Sequence, residues 1–157
     1  MDITNVVVSI ATPVDTAYLL DLGRRTTMTS ISEQRPVELH LAQLAYTRML
    51  DYVFSQKPVV FMATTAGKNV GFLLYVDFLP DDVTGQEQAF VAYMAVEPIA
   101  QRQGIGRKLL AAAEEYARSK GLPAIALMVT EQNLAARGVY EAAGYTTERR
   151  LLCKPLG

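Results

Sequence analysis

The stretch Ala89 to Gly121, AFVAYMAVEPIAQRQGIGRKLLAAAEEYARSKG, passes from an apolar strand through a glycine-bearing turn straight into a long amphipathic helix. A strand that hands over to a helix across Gly104 and Gly106 presents first-turn N–H groups with no intrahelical acceptor, and the helix dipole adds to their attraction for an anion. A side chain at either glycine would hold a ligand away from those donors. Two common phosphate motifs fail on spacing. A dinucleotide fingerprint requires a third glycine where the chain has Leu109, and an acidic residue about 20 positions on. A P-loop requires Gly-Lys-Ser/Thr, whereas Gly106 is followed by Arg107, Lys108 and Leu109. What remains is Gln101-x-x-Gly104-x-Gly106 opening a helix, a pattern that an ordinary surface turn also satisfies.

Size and charge narrow the partners. With 157 residues, half of them hydrophobic, the chain can bury a layered core without disulfides or metal, so we expect one compact domain over 1–157. A net charge of −1 and the lack of a basic block argue against a nucleic-acid binder. No apolar run reaches 18 residues and the N-terminus begins with an acid, so we expect neither membrane span nor signal peptide, and a cytoplasmic location. The single cysteine, Cys153, has no histidine near it in sequence, the only one being His40, and packing is its expected role. One His and one Cys supply no zinc set, and no metal is expected.

The element order follows from periodicity and punctuation. Ile3 to Ala11 is a β-branched run, Asp15 to Arg25 has helical spacing, and Pro36 opens a second helix that ends near Gln56. Pro58 to Ala66 and Val70 to Leu79 form a hairpin around Ala66-Gly67-Lys68-Asn69. Ala89 to Val96 is the next strand. The helix after Gly106 closes at Gly121, Ala124 to Val129 is a short strand, Asn133 caps a helix ending at Gly144, and Tyr145 to about Lys154 reads as a final strand. The expected fold class is α/β with a mixed sheet, in the order βααβββαβαβ, with helices on both faces.

Three features line up in order: the strand end Met94-Ala95-Val96 before Glu97-Pro98, the loop Gln101-Arg102-Gln103-Gly104-Ile105-Gly106, and Asn133 with Tyr140 seven residues later. This combination resembles the GNAT superfamily of N-acetyltransferases over residues 89–146, and the element order agrees with that acyl-CoA N-acyltransferase fold. The resemblance implies acetyl-CoA as co-substrate, with its pantetheine arm lying along Met94, Ala95 and Val96. It implies a diphosphate held by backbone N–H groups between Gln103 and Lys108, including Ile105, with Gln101, Arg102 and Arg107 adding donors or charge. It places Asn133 on the cofactor arm and makes Tyr140 the general acid for the departing thiolate. Asn133 is also a preferred helix cap, and a tyrosine on an apolar helix also suits a core.

The acceptor implied is an amine, on a small molecule or a protein. Members that acetylate protein N-termini often carry a glutamate where this chain has Met128. Asp77, Glu87 and Glu131 are the alternatives for collecting the amine's proton through water. We expect the acceptor between Thr26–Arg35, the second helix and the loop Asp81–Gln88, where Glu33, Asp81 and Asp82 could attract a cation. A rival reading is a coenzyme A-binding sensor without turnover. A homodimer is compatible with the chain, although no heptads and no isolated apolar face argue for one.

Overall fold

A computed structural model describes residues 3–157. The elements run β1 (Val7–Ile10), α1 (Thr16–Thr26), α2 (Leu39–Ser55), β2 (Val59–Thr65), β3 (Lys68–Pro80), β4 (Glu87–Val96), α3 (Ile105–Ser119), β5 (Ile125–Leu127) and α4 (Leu134–Ala142), with short 3₁₀ turns at Thr27–Ser30 and Pro98–Ala100. The sheet has the order β1-β2-β3-β4-β5. The first four strands are antiparallel, and β5 joins β4 in parallel. Helices cover both faces, as expected. α1 and α2 bury Leu19, Leu22, Tyr46, Leu50 and Val53 against Val60, Met62, Phe72 and Leu74. α3 buries Ile105, Leu109, Leu110 and Ala113 against Phe61, Leu73, Tyr75 and Val91 on the other.

Strand alternation explains most of this sorting, and one irregularity does the rest. Side chains along a strand alternate faces, so Ala89, Val91, Tyr93 and Ala95 would all share one side. They do not. Register passes from Leu74–Tyr93 to Tyr75–Val91, leaving Ala92 as an extra residue. This bulge resets the alternation. Ala89 and Val91 therefore face α3, whereas Tyr93 and Ala95 face α1 and α2, and Met94 and Val96 turn toward α3.

Two expectations need correction. The first strand is shorter than Ile3 to Ala11, being confined to Val7–Ile10. The segment from Tyr145 to Lys154 is no strand in this chain, and the observed order is βααβββαβα. Tyr145 N–H still closes the turn after α4 by donating to the Tyr140 carbonyl at 3.0 Å. A cleft lies between residues 145–148 and β5, so no ladder partner is within reach.

Helix α1 carries Gly23 where the Tyr46 ring of α2 crosses it, and the Tyr46 hydroxyl donates to the Leu19 carbonyl at 2.7 Å. A methyl at position 23 would overlap that ring. In an open helix Gly→Ala gains about 1 kcal/mol. Here overpacking should dominate, and Gly23→Ala should lower stability by about 1–3 kcal/mol. Urea denaturation checks this, and an unchanged or raised midpoint would contradict the packing described.

Candidate functional site

The sheet opens at one point. β4 and β5 pair only through Ala89–Ile125, Phe90–Ala126 and Val91–Leu127, so contact stops one residue before the bulge at Ala92. Beyond it, Met94–Val96 stays paired on its other edge, with Leu73, Phe72 and Gly71 of β3. Successive backbone amides point to opposite edges, and the Glu97 N–H donates to Val70 of β3 at 2.9 Å. The N–H and C=O of Val96 and of Met94 therefore point into the opening, while those of Ala95 point to β3. The Val96 carbonyl is engaged, accepting from Gln101 Nε2 at 3.2 Å. Gln101 thus braces the turn against the strand end.

At the same end of β4 the glycine turn delivers α3. Gly104 caps the helix with φ +79°, a left-handed value that favours glycine, and a Cβ there would meet nothing within 4 Å. Arg102 also has positive φ, at 64°. Ile105 sends its side chain into the core, leaving only its backbone for other work. The first intrahelical bond is Lys108 N–H to the Gly104 carbonyl, so the amides of Ile105, Gly106 and Arg107 lack intrahelical acceptors. Gly106 sits between the Met94 and Val139 side chains, each 3.4 Å from where its Cβ would stand, and this locks α3 between β4 and α4. Gln103 is exposed in the turn. Arg107 lines a cleft of about 310 Å³ between α3 and α4. The Lys108 ammonium donates to the Val6 carbonyl at 3.3 Å beside β1.

Helix α4 brings the remaining pair. Asn133 Oδ1 accepts from the Ala136 N–H at 3.2 Å, so this side chain caps the helix through its oxygen. Tyr140 is mostly buried, its ring 6.0 Å edge-to-face from Tyr145. Burial first, and then neighbouring Tyr93, push its phenol pKa above the ordinary value. That neighbour was not legible in the sequence. Tyr93 reaches the opening from the opposite face because of the bulge, and its hydroxyl lies 3.2 Å from Thr26 Oγ1. Thr26 gives its hydrogen to the Leu22 carbonyl at 2.9 Å, so Tyr93 is the donor to Thr26, and the Ser30 side chain is hydrogen-bonded to the same phenol. Thr130 Oγ1 donates to the Ser30 carbonyl at 2.6 Å and joins the segment after β5 to the turn after α1. A further unforeseen tie is Arg25, bidentate to Glu97 at 2.9 Å, which fixes the end of α1 to the end of β4.

Several acidic candidates lie elsewhere. Glu87 begins β4, about 30 Å of strand from Val96, and Asp77 is four residues along β3 from the partner of Met94, about 13 Å away. The loop Asp81–Gln88 is at that far end too, which removes it from the acceptor side. Asp81 accepts from Thr84 N–H, Thr84 Oγ1 and Arg149, and these bonds hold its carboxyl well below the usual range. Glu131 is exposed and pairs with Arg137. Among the described residues no group of three His, Cys, Asp or Glu could hold a metal, and no helix is long and apolar enough to cross a membrane.

Comparison with known proteins supplies the context for this geometry. The mycothiol acetyltransferase of Thermomonospora curvata is 36% identical over 87 residues, which is 55% of this chain and 27% of that protein. The chain thus spans about a quarter of the relative's length. A putative acetyl transferase from Pyrococcus furiosus superposes with TM-score 0.82 at 22% identity, covering 97% of this chain and all of the other. The structure of AAC(6')-Iy with the bisubstrate analog CoA-S-monomethyl-acetylneamine superposes with TM-score 0.66 at 18% identity, over 96% and 97% of the two chains. At these identities the structures establish the shared fold. The acetyltransferase (GNAT) family profile matches residues 25–145, and with that match across most of its length the chain belongs to the GNAT family.

Proposed function

We propose that the chain, acting as one domain, is an N-acetyltransferase that moves the acetyl group of acetyl-CoA to a primary amine, with Tyr140 as general acid. The observation that carries this reading is the convergence at one end of the sheet of a free β4 edge, three free α3 amides and the Tyr140 hydroxyl. These groups fit the co-substrate. The open space above Gly104 gives a diphosphate access to the amides of Ile105, Gly106 and Arg107, and the outward amides of Met94 and Val96 can pair with a peptide-like arm. Acetyl-CoA bound there supplies an acetyl group activated as a thioester.

Three of the chain's own residues would then act on the substrates. The Val96 N–H polarises the acetyl oxygen. The Tyr140 hydroxyl gives its proton to the departing sulfur, and its raised pKa keeps that proton in place at neutral pH. The Tyr93 phenol, fixed by Thr26 and Ser30, forms a rigid wall against which the incoming amine is aimed. Water in the opening carries the amine's proton away, since Asp77, Glu87 and Glu131 are too distant or already paired. Gln101 and Asn133 act by bracing the loop and helix that carry the donors, and Arg102, Gln103 and Arg107 lie where exposed cations and amides meet a diphosphate. Met128 in place of an acid, at a position 81% exposed, favours a small-molecule amine over a protein terminus.

Three outcomes test the reading. Tyr140→Phe should lower kcat by about 10²–10⁴-fold with acetyl-CoA affinity nearly unchanged, measured as thiol release across an amine panel. No release by the wild type above background would instead support a binding module. Gly104→Ala meets no neighbouring atom but strains the left-handed turn that presents the free amides, so calorimetry should find acetyl-CoA binding at least tenfold weaker. Because the Tyr140 pKa is raised, its protonated form persists beyond the ordinary phenol range near pH 10. The kcat–pH profile should therefore rise as the amine loses its proton and show no fall up to about pH 10. A descending limb near pH 8 that disappears in Tyr140→Phe would contradict the assignment.

A further inference from the structure

Both lips of the opening carry exposed apolar side chains. On the α1 side the turn Thr27–Ser30 lies over Tyr93, because Thr26 and Ser30 both bond that phenol, and Met28 stands between these two in sequence, 43% exposed. On the other side the chain leaves β5 at Leu127 and runs through Met128 and Val129, 81% and 38% exposed, to Thr130. The Thr130 hydroxyl donates to the Ser30 carbonyl at 2.6 Å, so the two segments meet and the three side chains belong to one rim. The floor is aromatic. Tyr93 stacks on Phe72 with 6.1 Å between centroids and leans on Tyr46 at 5.0 Å, while Tyr140 packs on the α3 side.

A single exposed apolar side chain needs no explanation. Three gathered at the mouth of a cleft with an aromatic floor match the lining of a small-molecule site, which is apolar with a few polar groups. Methionine suits such a lip, because its unbranched side chain moulds to ligands of different shape. Charge narrows the ligand further. Glu97, next to Val96, is held bidentately by Arg25, and Glu131, next to Thr130, pairs with Arg137 at 3.3 Å. Glu33 and Arg35 share the exposed loop that follows the turn and offset one another in net charge. A second ammonium on the acceptor would therefore meet carboxylates already matched by guanidinium groups. Taking one amine out of water at this lip favours its uncharged, nucleophilic form. Desolvation thus supplies part of what a carboxylate at position 128 would supply as a base.

We infer that the acceptor is a primary monoamine whose apolar body, an alkyl or arylalkyl group, lies against Met28, Met128 and Val129. The inference rests on the transferase reading above for its chemistry, and on the rim alone for its binding.

Hexylamine and 1,6-diaminohexane share one carbon chain and differ by a terminal ammonium. Measured as thiol release from acetyl-CoA, kcat/KM for hexylamine should exceed that for 1,6-diaminohexane at least tenfold, and from butylamine to hexylamine it should rise about two- to fourfold per CH2. Met28→Asp, a change at an exposed position, should cut the hexylamine advantage at least tenfold with acetyl-CoA affinity unchanged. Calorimetry of the two diluted amines against the full chain in the presence of coenzyme A makes the same comparison without turnover. Tenfold tighter binding of hexylamine with no thiol release would uphold the rim and sink the transferase reading. Equal or better use of 1,6-diaminohexane, no gain with chain length, or a preference unmoved by Met28→Asp would each overturn the inference and leave the transferase reading in place.

Discussion

The extra residue at Ala92 is the constraint on which the rest of the structure depends. One residue of mismatch against β3 changes which face every later β4 side chain occupies. Before it, β4 is a central strand paired on both edges. After it, pairing with β5 is finished, and Met94 and Val96 carry backbone groups into an opening at the middle of the sheet. The same shift brings Tyr93 to that opening from the α1 face, while Tyr140 approaches from the α3 face, so that the two phenols influence one another across it. An unbulged β4 would bury Tyr93 beneath α3 and leave a continuous strand edge.

What surrounds the opening is built mainly from backbone, and side chains serve largely to hold it. Gln101 ties the turn to Val96, Ile105 plugs the start of α3 into the core, and Asn133 caps α4. The Arg25–Glu97 pair joins α1 to the end of β4. It is partly solvent-exposed, so its contribution is better understood as fixing geometry than as adding stability. The titratable groups at the centre are phenols kept neutral by burial, whereas the charged residues lie in the turn and at the rim. Such a division suits a reaction in which an uncharged amine is acylated and the anionic part of the donor is held at a distance.

Much of this was legible in the chain because it is local. Gly104 and Gly106 before an amphipathic run, Asn133 before α4, and Ala66-Gly67 between two β-branched runs each encode their structure within a few residues. The features that escaped depend on partners distant in sequence. Nothing local to Ala92 distinguishes a bulge from regular alternation, so Tyr93 could not be placed, nor could its bond to Thr26, 67 residues earlier. The acceptor loop was misplaced for the same reason: Asp81 and Asp82 look available until β4 is seen to run its full length between them and the opening. Tyr145 to Lys154 reads as a strand because its composition suits one, but a strand requires a neighbour, and propensity does not say where that neighbour is.

The central claim is that the opening beyond Ala92 and the first turn of α3 form one continuous track for acetyl-CoA. Residue-resolved amide hydrogen exchange with and without saturating acetyl-CoA tests it most directly. The account predicts slowed exchange at Val96 and at Ile105, Gly106 and Arg107 together, with no change across the β1–β2 ladder. Protection confined to other elements, or no protection at these four amides when the ligand is bound, would contradict it.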